Sequence, residues 1–291
     1  MKVNLRNERI KYMIAVILYG TIGYFLRFVN YPSELVAMCR GLIGSLFILL
    51  YLKITGKGID TEAIKRNREW LVLSGICLGL NWIFLFAAYL KTTVAIASLC
   101  NYLAPLIVVI VAPLLLKEKL NKTKLIFVAT AFLGILLVTD HTSGSSGSLE
   151  GILMGLLAAL CFVGIVLCNR KLKDISAYDR AVVQLFLSAL TILPYFILHN
   201  LGTRLTFDPS SALIILMLGV LHTGVAYCLY FSGMAYLPVQ TVAVLGYLEP
   251  VVSVLTSALL LAEPLSFTGW IGSALVIVSA ALSELPEKKE S

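Results

Sequence analysis

Charge is scarce in this sequence: Asp, Glu, Lys and Arg make up 13% of its 291 residues, about half the share found in soluble domains. So low a share excludes a disordered chain, which stays unfolded by being polar and charged. It also excludes a soluble enzyme hung from a membrane anchor, since no polar stretch is long enough to form a separate domain. Histidine occurs three times, and no second ligand stands at metal spacing from any of them, so no bound metal is expected. There is no Cys-x-x-Cys pair. Cys39, Cys77, Cys100, Cys161, Cys168 and Cys228 fall inside or at the edge of apolar runs and read as small hydrophobes rather than disulfide partners. A glycine-rich phosphate loop is also missing, so no cofactor is expected and ATP is not expected to drive the protein directly. Asp60, Asp140, Asp174, Asp179 and Asp208 all lie in loops or at helix ends, which removes the paired carboxylates of an intramembrane aspartyl protease. Gly144-Ser145-Ser146-Gly147 has the spacing of an intramembrane serine protease motif but sits in a polar loop with the composition of a linker.

What the sequence has in plenty is apolar length. Hydrophobic residues make up 59% of it and the mean hydropathy is +0.93. A window of about 19 residues finds ten runs, at 10–28, 34–53, 70–90, 94–116, 125–140, 149–168, 178–199, 211–232, 239–262 and 265–284. Backbone groups in hydrocarbon must bond within their own segment, so runs of this length predict helices. The first run follows a basic stretch but lacks a small-x-small cleavage site, so it is expected to remain as a helix. Gly75-x-x-x-Gly79 and Gly151-x-x-x-Gly155 predict close helix packing.

The net charge of +7 is a topology signal, and no nucleic-acid partner is expected. Lys2, Arg6, Arg9 and Lys11 precede the first run. Lys53, Lys57, Lys65, Arg66 and Arg68 follow the second, and Lys117, Lys119, Lys122 and Lys124 follow the fourth. Arg170, Lys171, Lys173 and Arg180 follow the sixth, and Lys288 and Lys289 follow the tenth. Nineteen of the 23 basic residues thus fall on one side. The positive-inside rule then predicts a multi-pass protein of the cell membrane with both termini cytoplasmic. Asn121-Lys122-Thr123 matches a glycosylation pattern but falls on that same side.

A shift of about 144 residues superimposes the two halves. Ala37, Arg40, Leu46, Ile48, Leu49 and Tyr51 fall on Ala181, Gln184, Leu190, Ile192, Leu193 and Tyr195. Tyr102-Leu103-Ala104-Pro105 falls on Tyr247-Leu248-Glu249-Pro250, and thirteen residues past each proline come Glu118 and Glu263. Five runs per half is an odd number, so the second half must enter the bilayer from the opposite side. The expected fold is an all-α membrane protein of ten transmembrane helices. They form two inverted-topology repeats, residues 1–143 and 144–291, around a central cavity, the architecture of secondary transporters.

The Tyr247-Leu248-Glu249-Pro250-Val251-Val252 run, the Leu-Leu-Leu-x-Glu ends at Glu118 and Glu263 and the 5+5 duplication resemble the EamA-type family of the drug/metabolite transporter superfamily, over nearly the whole chain. The resemblance implies a ten-helix basket whose cavity is walled mainly by helices 1, 3, 4, 6, 8 and 9, with helices 5 and 10 peripheral. It also implies export of amino acids, amines or related metabolites.

Polar groups inside apolar runs are costly unless they face a cavity or a partner, which makes each a functional candidate. Glu249 sits in the ninth run on a face shared with Gly246, Ser253 and Thr256. It reads as a proton carrier, as a counter-charge for an amine, or as a structural carboxyl bonding the backbone opened by Pro250. His222, beside Thr223 and Gly224, reads either as a histidine bonded to a neighbouring helix or as a cavity group that switches charge near neutral pH. Arg40 reads as a gate, as a headgroup anchor, or as a bidentate partner for a substrate carboxylate. Its repeat mate Gln184 begins a polar stripe with Ser188, Thr191 and Tyr195. Tyr19, Asn81, Trp82, Asn101, Tyr102 and Tyr227 complete a candidate pocket of aromatic faces and amides. Pro105 and Pro250, expected near mid-helix at matching positions, are hinge candidates.

These readings predict a secondary transporter that exports small organic metabolites, amino acids or related amines being the favoured class, by alternating access. Its partners are a small-molecule substrate and membrane lipids; coupling to protons through Glu249 or His222 is an open expectation. The protein is expected as a monomer or homodimer. The alternatives are a channel, scramblase or sensor, or a carrier of drugs or nucleotide sugars. The last of these needs several cavity cations for the phosphates, and Arg40 is the one basic residue expected inside the membrane, away from the run ends.

Overall fold

The computed structural model describes residues 4–91, 97, 100–116, 122–139, 148–200, 206–260 and 266–283. Among them the regular structure is helical throughout: α1 (Leu5–Leu26), α2 (Ser33–Ile54), α3 (Thr61–Arg66), α4 (Arg68–Lys91), α5 (Ala104–Leu116), α6 (Lys122–Thr139), α7 (Leu149–Lys171), α8 (Ala177–His199), α9 (Pro209–Tyr236), α10 (Val239–Leu260) and α11 (Phe267–Ser283). The Gly144–Gly147 loop, Asn121, Glu118 and Glu263 lie outside the described residues. Seven helices, α1, α2, α4 and α7 to α10, are long and apolar enough to cross a membrane. At 1.5 Å per residue, about 20 residues span the hydrocarbon core. Shorter apolar stretches lie in α5, α6 and α11.

Side-chain caps start the helices where the sequence supplies them. The hydroxyls of Ser148 and Ser176 accept from Gly151 N and Asp179 N at the heads of α7 and α8. Asp208 accepts from Ser210 N and Ser211 N ahead of Pro209 in the first turn of α9, where a missing N–H leaves nothing unpaired. The small α3, which periodicity did not predict, begins on the same kind of cap, Asp60 accepting from Ala63 N at 2.9 Å.

Two expectations about regular helices need correcting. Pro105 and Pro250 do not kink helix interiors. A turn at Tyr102-Leu103 precedes α5, and α10 breaks at Tyr247 into Val239–Gly246 and Leu248–Leu260. Each proline therefore sits in a first turn, where its missing N–H breaks no bond. The second departure is in α9, which widens to π geometry over Val220–Val225 and so shifts the register that an unbroken helix would have kept.

Helix directions follow from paired contacts. α1 and α9 run antiparallel, with Ser232 donating to Glu8 near one end, Tyr19 against Tyr227 midway, and Thr21 against His222 farther on. α4 and α7 are also antiparallel: Asn67 donates to the Lys173 carbonyl beside one end and Asn81 to that of Ala158 farther along. α2 and α8 are antiparallel too, through a Tyr51–Tyr178 ring stack at 5.6 Å, Gly41 against Ala189, and Asn200 donating to Glu34. By contrast α2 runs parallel to α9, and α4 to α8, along glycine seams. A Cβ added at Gly79 would stand 2.5 Å from Thr191 Cβ, and one at Gly75 would stand 2.7 Å from Leu187 Cβ.

The outside of the bundle is apolar. α1 exposes Ile10, Ile14 and Ile17, and α7 exposes Leu153, Leu157 and Leu160. Ser74, Gln184, Ser188, Thr223 and Thr241 are fully buried. Polar inside and apolar outside is the distribution a lipid solvent selects, since each polar group must find its partner within the protein.

Candidate functional site

A cavity of about 330 Å³ lies within the bundle. Its walls come from α1, α4, Asn101 and Tyr102 ahead of α5, α5 itself, α7, α9 and α10, with Ala37 and Arg40 from α2; α6, α8 and α11 supply none of its described lining. Tyr19, Arg40, Asn81, Trp82, Asn101, Tyr102, Pro105, Tyr227 and Glu249 are all brought to this one chamber. His222, Gln184 and Pro250 are not among its lining residues.

One end of the chamber is floored by four tyrosine rings, the candidates Tyr19 and Tyr227 together with Tyr12 and Tyr230, which were not among the expected site residues. Tyr12 and Tyr230 stack at 4.9 Å, and Tyr19 packs on both Tyr227 and Tyr230, at 5.3 and 5.6 Å. The Tyr12 hydroxyl donates to the Val242 carbonyl at 3.1 Å and ties α1 to α10. Below this floor the buried Glu8 carboxylate holds Lys11 at 2.7 Å and accepts from the Ser232 hydroxyl at 2.5 Å. The floor thus joins α1, α9 and α10, and polar contacts lock it underneath. A sequence signal for Tyr12 exists, because it lies seven residues before Tyr19, two turns back on the same helix face.

Amides fix the facing wall. Asn81 donates to the Asn101 side-chain oxygen (3.1 Å) and to the Ala158 carbonyl (2.8 Å), which binds α4 to the segment just before the Tyr102-Leu103 turn and to α7. The Tyr247 hydroxyl donates to the Tyr102 carbonyl at 3.0 Å, so the two turns that the repeat aligns touch each other at the chamber.

Two formal charges face this space. The Arg40 Nε donates to the Thr223 hydroxyl at 3.1 Å, and its guanidinium carbon lies 5.6 Å over the Trp82 ring, a cation–π contact. Its two terminal nitrogens make no hydrogen bond or ion pair among the described residues. The Glu249 carboxyl, at the start of the second piece of α10, likewise makes no hydrogen bond or ion pair among the described residues. It is not occupied with the backbone opened by Pro250. The Tyr19 hydroxyl is buried with no hydrogen-bond partner among those residues. The chamber therefore offers a donor fork, a carboxyl and a phenol within aromatic walls.

The other candidates have protein partners. His222, 2% exposed, holds Thr21 Oγ1 through Nε2 at 3.0 Å and stands edge-on to Phe25, while its Nδ1 is buried with no hydrogen-bond partner among the described residues. Gln184 and Asn169 exchange two amide hydrogen bonds, at 3.1 and 3.2 Å, and so brace α8 against α7. Pro250 serves the helix start described above.

A sequence profile of the EamA-like transporter family matches the chain twice, over residues 10–140 and 149–285. The uncharacterized transporter YxxF of Bacillus subtilis strain 168 is 27% identical over 250 residues, 84% of this chain and 79% of its own. An uncharacterized transporter of Archaeoglobus fulgidus is 27% identical over 273 residues, 93% of this chain and 94% of its own. The uncharacterized inner membrane transporter YicL of Salmonella typhimurium is 24% identical over 298 residues, 98% of each. A protein of known crystal structure shares the fold with a TM-score of 0.82 at 20% identity, over 95% of this chain and 97% of the other.

Proposed function

Since the chain belongs to the EamA-like transporter family and is a multi-pass membrane protein, we propose that it exports amino acids or related amines from the cytoplasm by alternating access. The observation that carries this reading is that the terminal nitrogens of Arg40 and the carboxyl of Glu249 face one aromatic chamber with no hydrogen bond or ion pair among the described residues. An α-amino acid brings one opposite charge to each: its carboxylate to the guanidinium fork and its ammonium to the carboxyl. An amine uses the second contact alone. The volume of about 330 Å³ lies at the small end of ligand pockets and favours a compact solute over a nucleotide sugar.

The carrier mechanism is two five-helix repeats, residues 1–143 and 144–291, inverted in the membrane. Support comes from the packing. Exchanging α1 with α7, α2 with α8 and α4 with α9 converts the main contacts among these helices into one another. The antiparallel α1–α9 pair becomes α7–α4, and the parallel α2–α9 pair becomes α8–α4. The mates α2 and α8 themselves run antiparallel. In this arrangement the basic loops place both termini in the cytoplasm, and the bundles rock about the chamber. Protons couple through Glu249, because one carboxyl serves an ammonium or a proton but not both at once. A substrate leaving and a proton entering then alternate on the same group.

The test is counterflow in proteoliposomes. Vesicles preloaded with an unlabelled amino acid or amine are expected to accumulate the labelled compound transiently and saturably. Unsaturable flux without counterflow would instead mean a channel, and binding without flux would mean a sensor. Either result overturns the proposal.

A further inference from the structure

The carboxylate end of the chamber is built by a residue that does not line it. In the π stretch of α9, the Thr223 hydroxyl donates its only proton to the Leu218 carbonyl five residues back, at 2.9 Å. The oxygen therefore has lone pairs alone to offer in the other direction, and there it accepts from Arg40 Nε at 3.1 Å. π turns within α-helices recur at functional sites, and here the turn lies against α2. A Cβ at Gly44 would stand 2.9 Å from Thr223 Cγ2 and 3.2 Å from Gly224 N. With no side chain at Gly44 the two backbones close up, and Arg40, one turn earlier on α2, is laid against the hydroxyl.

A guanidinium on a long stem rotates freely unless its plane is held. Here the Nε edge is fixed by Thr223 and the guanidinium carbon lies over the Trp82 ring. The two terminal nitrogens are left together as a fork, the geometry that grips a carboxylate through two parallel bonds. We propose that Thr223 is a positioning residue that gives the chamber its selectivity for carboxylate-bearing solutes. It acts through Arg40 and does not touch the substrate. The inference rests on the reading of Arg40 as the carboxylate partner, and it separates the two solute classes, amino acids and plain amines, that the chamber would otherwise treat alike.

Thr223→Val keeps the shape and the γ-methyl while removing the hydroxyl; Thr223→Ser keeps the hydroxyl. The purified full-length protein is titrated with matched probes that differ only in their polar ends. One set is L-leucine, isopentylamine and 4-methylpentanoate; the other is L-phenylalanine, phenethylamine and 3-phenylpropionate. Thr223→Val is expected to weaken the amino acids and the amine-free carboxylates about tenfold, the size of one charge-assisted hydrogen bond, and to leave the amines within about twofold. Thr223→Ser is expected to restore carboxylate binding. Should Thr223→Val not be recovered folded, Thr223→Ala, which adds no bulk to the seam, carries the same expectation. Equal weakening of all probes means that Thr223 merely supports the fold and overturns the inference. Unchanged carboxylate binding in Thr223→Val, or no carboxylate binding by the wild type, also overturns it. Thr223-dependent binding of the amine-free carboxylates without binding of the amino acids upholds the inference while defeating the amino-acid reading.

Discussion

At the scale of single residues, Glu249 bears most of the functional argument, and its isostere tests it. In Glu249→Gln the amide still accepts a hydrogen bond from an ammonium but can no longer exchange a proton. We predict that this variant loses uptake driven by a pH gradient while retaining substrate counterflow in proteoliposomes. Undiminished gradient-driven uptake would remove Glu249 as the coupling group. Gln184 gives the contrasting case. Its two bonds to Asn169 make it a brace between α8 and α7, so Gln184→Leu strands a buried amide. We predict a loss of about 1 kcal/mol in thermal or denaturant unfolding, with ligand affinity within about twofold; a large affinity change at constant stability would instead make Gln184 part of the gate. Glu249 and Arg40 were legible in the sequence because a charge inside an apolar run is conspicuous. Thr223 and Thr21 were much harder to assign, because a threonine in an apolar helix is ordinary until its tertiary partner is known. Tyr12 was hidden for a related reason: a tyrosine near the start of a first span looks like an interfacial anchor.

At the scale of elements, the entry to α9 and the seam between α4 and α8 each make a measurable claim. The hydroxyls of Ser211 and Ser210 donate to the Asp208 carboxylate and lower its pKa to about 2, from 3.8 for a free aspartate. A depressed carboxylate pKa contributes stability that is fully present above the unfolded value and lost as pH falls through the folded one. We therefore predict that Asp208→Ala lowers the melting temperature by a constant amount from pH 7 down to about 4. The difference should then shrink toward pH 2; a difference that varies with pH above 5 would assign the effect to another group. At the seam, Gly79 meets Thr191 Cβ and the Ser188 carbonyl, whereas Gly58 has nothing within 4 Å of an added Cβ. Gly79→Ala should cost about 1–3 kcal/mol in unfolding and Gly58→Ala under about 0.5 kcal/mol. Equal effects would mean that the seam is loose. The Gly-x-x-x-Gly spacing made this contact readable in advance. The π turn of α9 and the break at Tyr247 were not readable, since hydrophobic periodicity averages over a single extra or missing residue. Pro105 and Pro250 then took first-turn places instead of mid-helix ones.

For the whole molecule, the lipid-facing surface and the enclosed polar groups were read from composition and run length with little loss, because a bilayer imposes the same demand on every segment. The chamber was only partly readable. Which residues share it depends on how α1, α4, α9 and α10 are placed against one another, and no local pattern encodes that. Alternating access about one chamber requires the two halves to lie antiparallel, so that matching loops open to opposite compartments. Sidedness labelling measures this directly. Single cysteines replace Lys117 and Glu263 in turn, in a background from which the six native cysteines have been removed, and an impermeant thiol reagent is applied to intact cells and to inverted vesicles. Lys117→Cys is expected to react only from the cytoplasmic side and Glu263→Cys only from the outside. Reaction of both from one side would contradict the antiparallel arrangement.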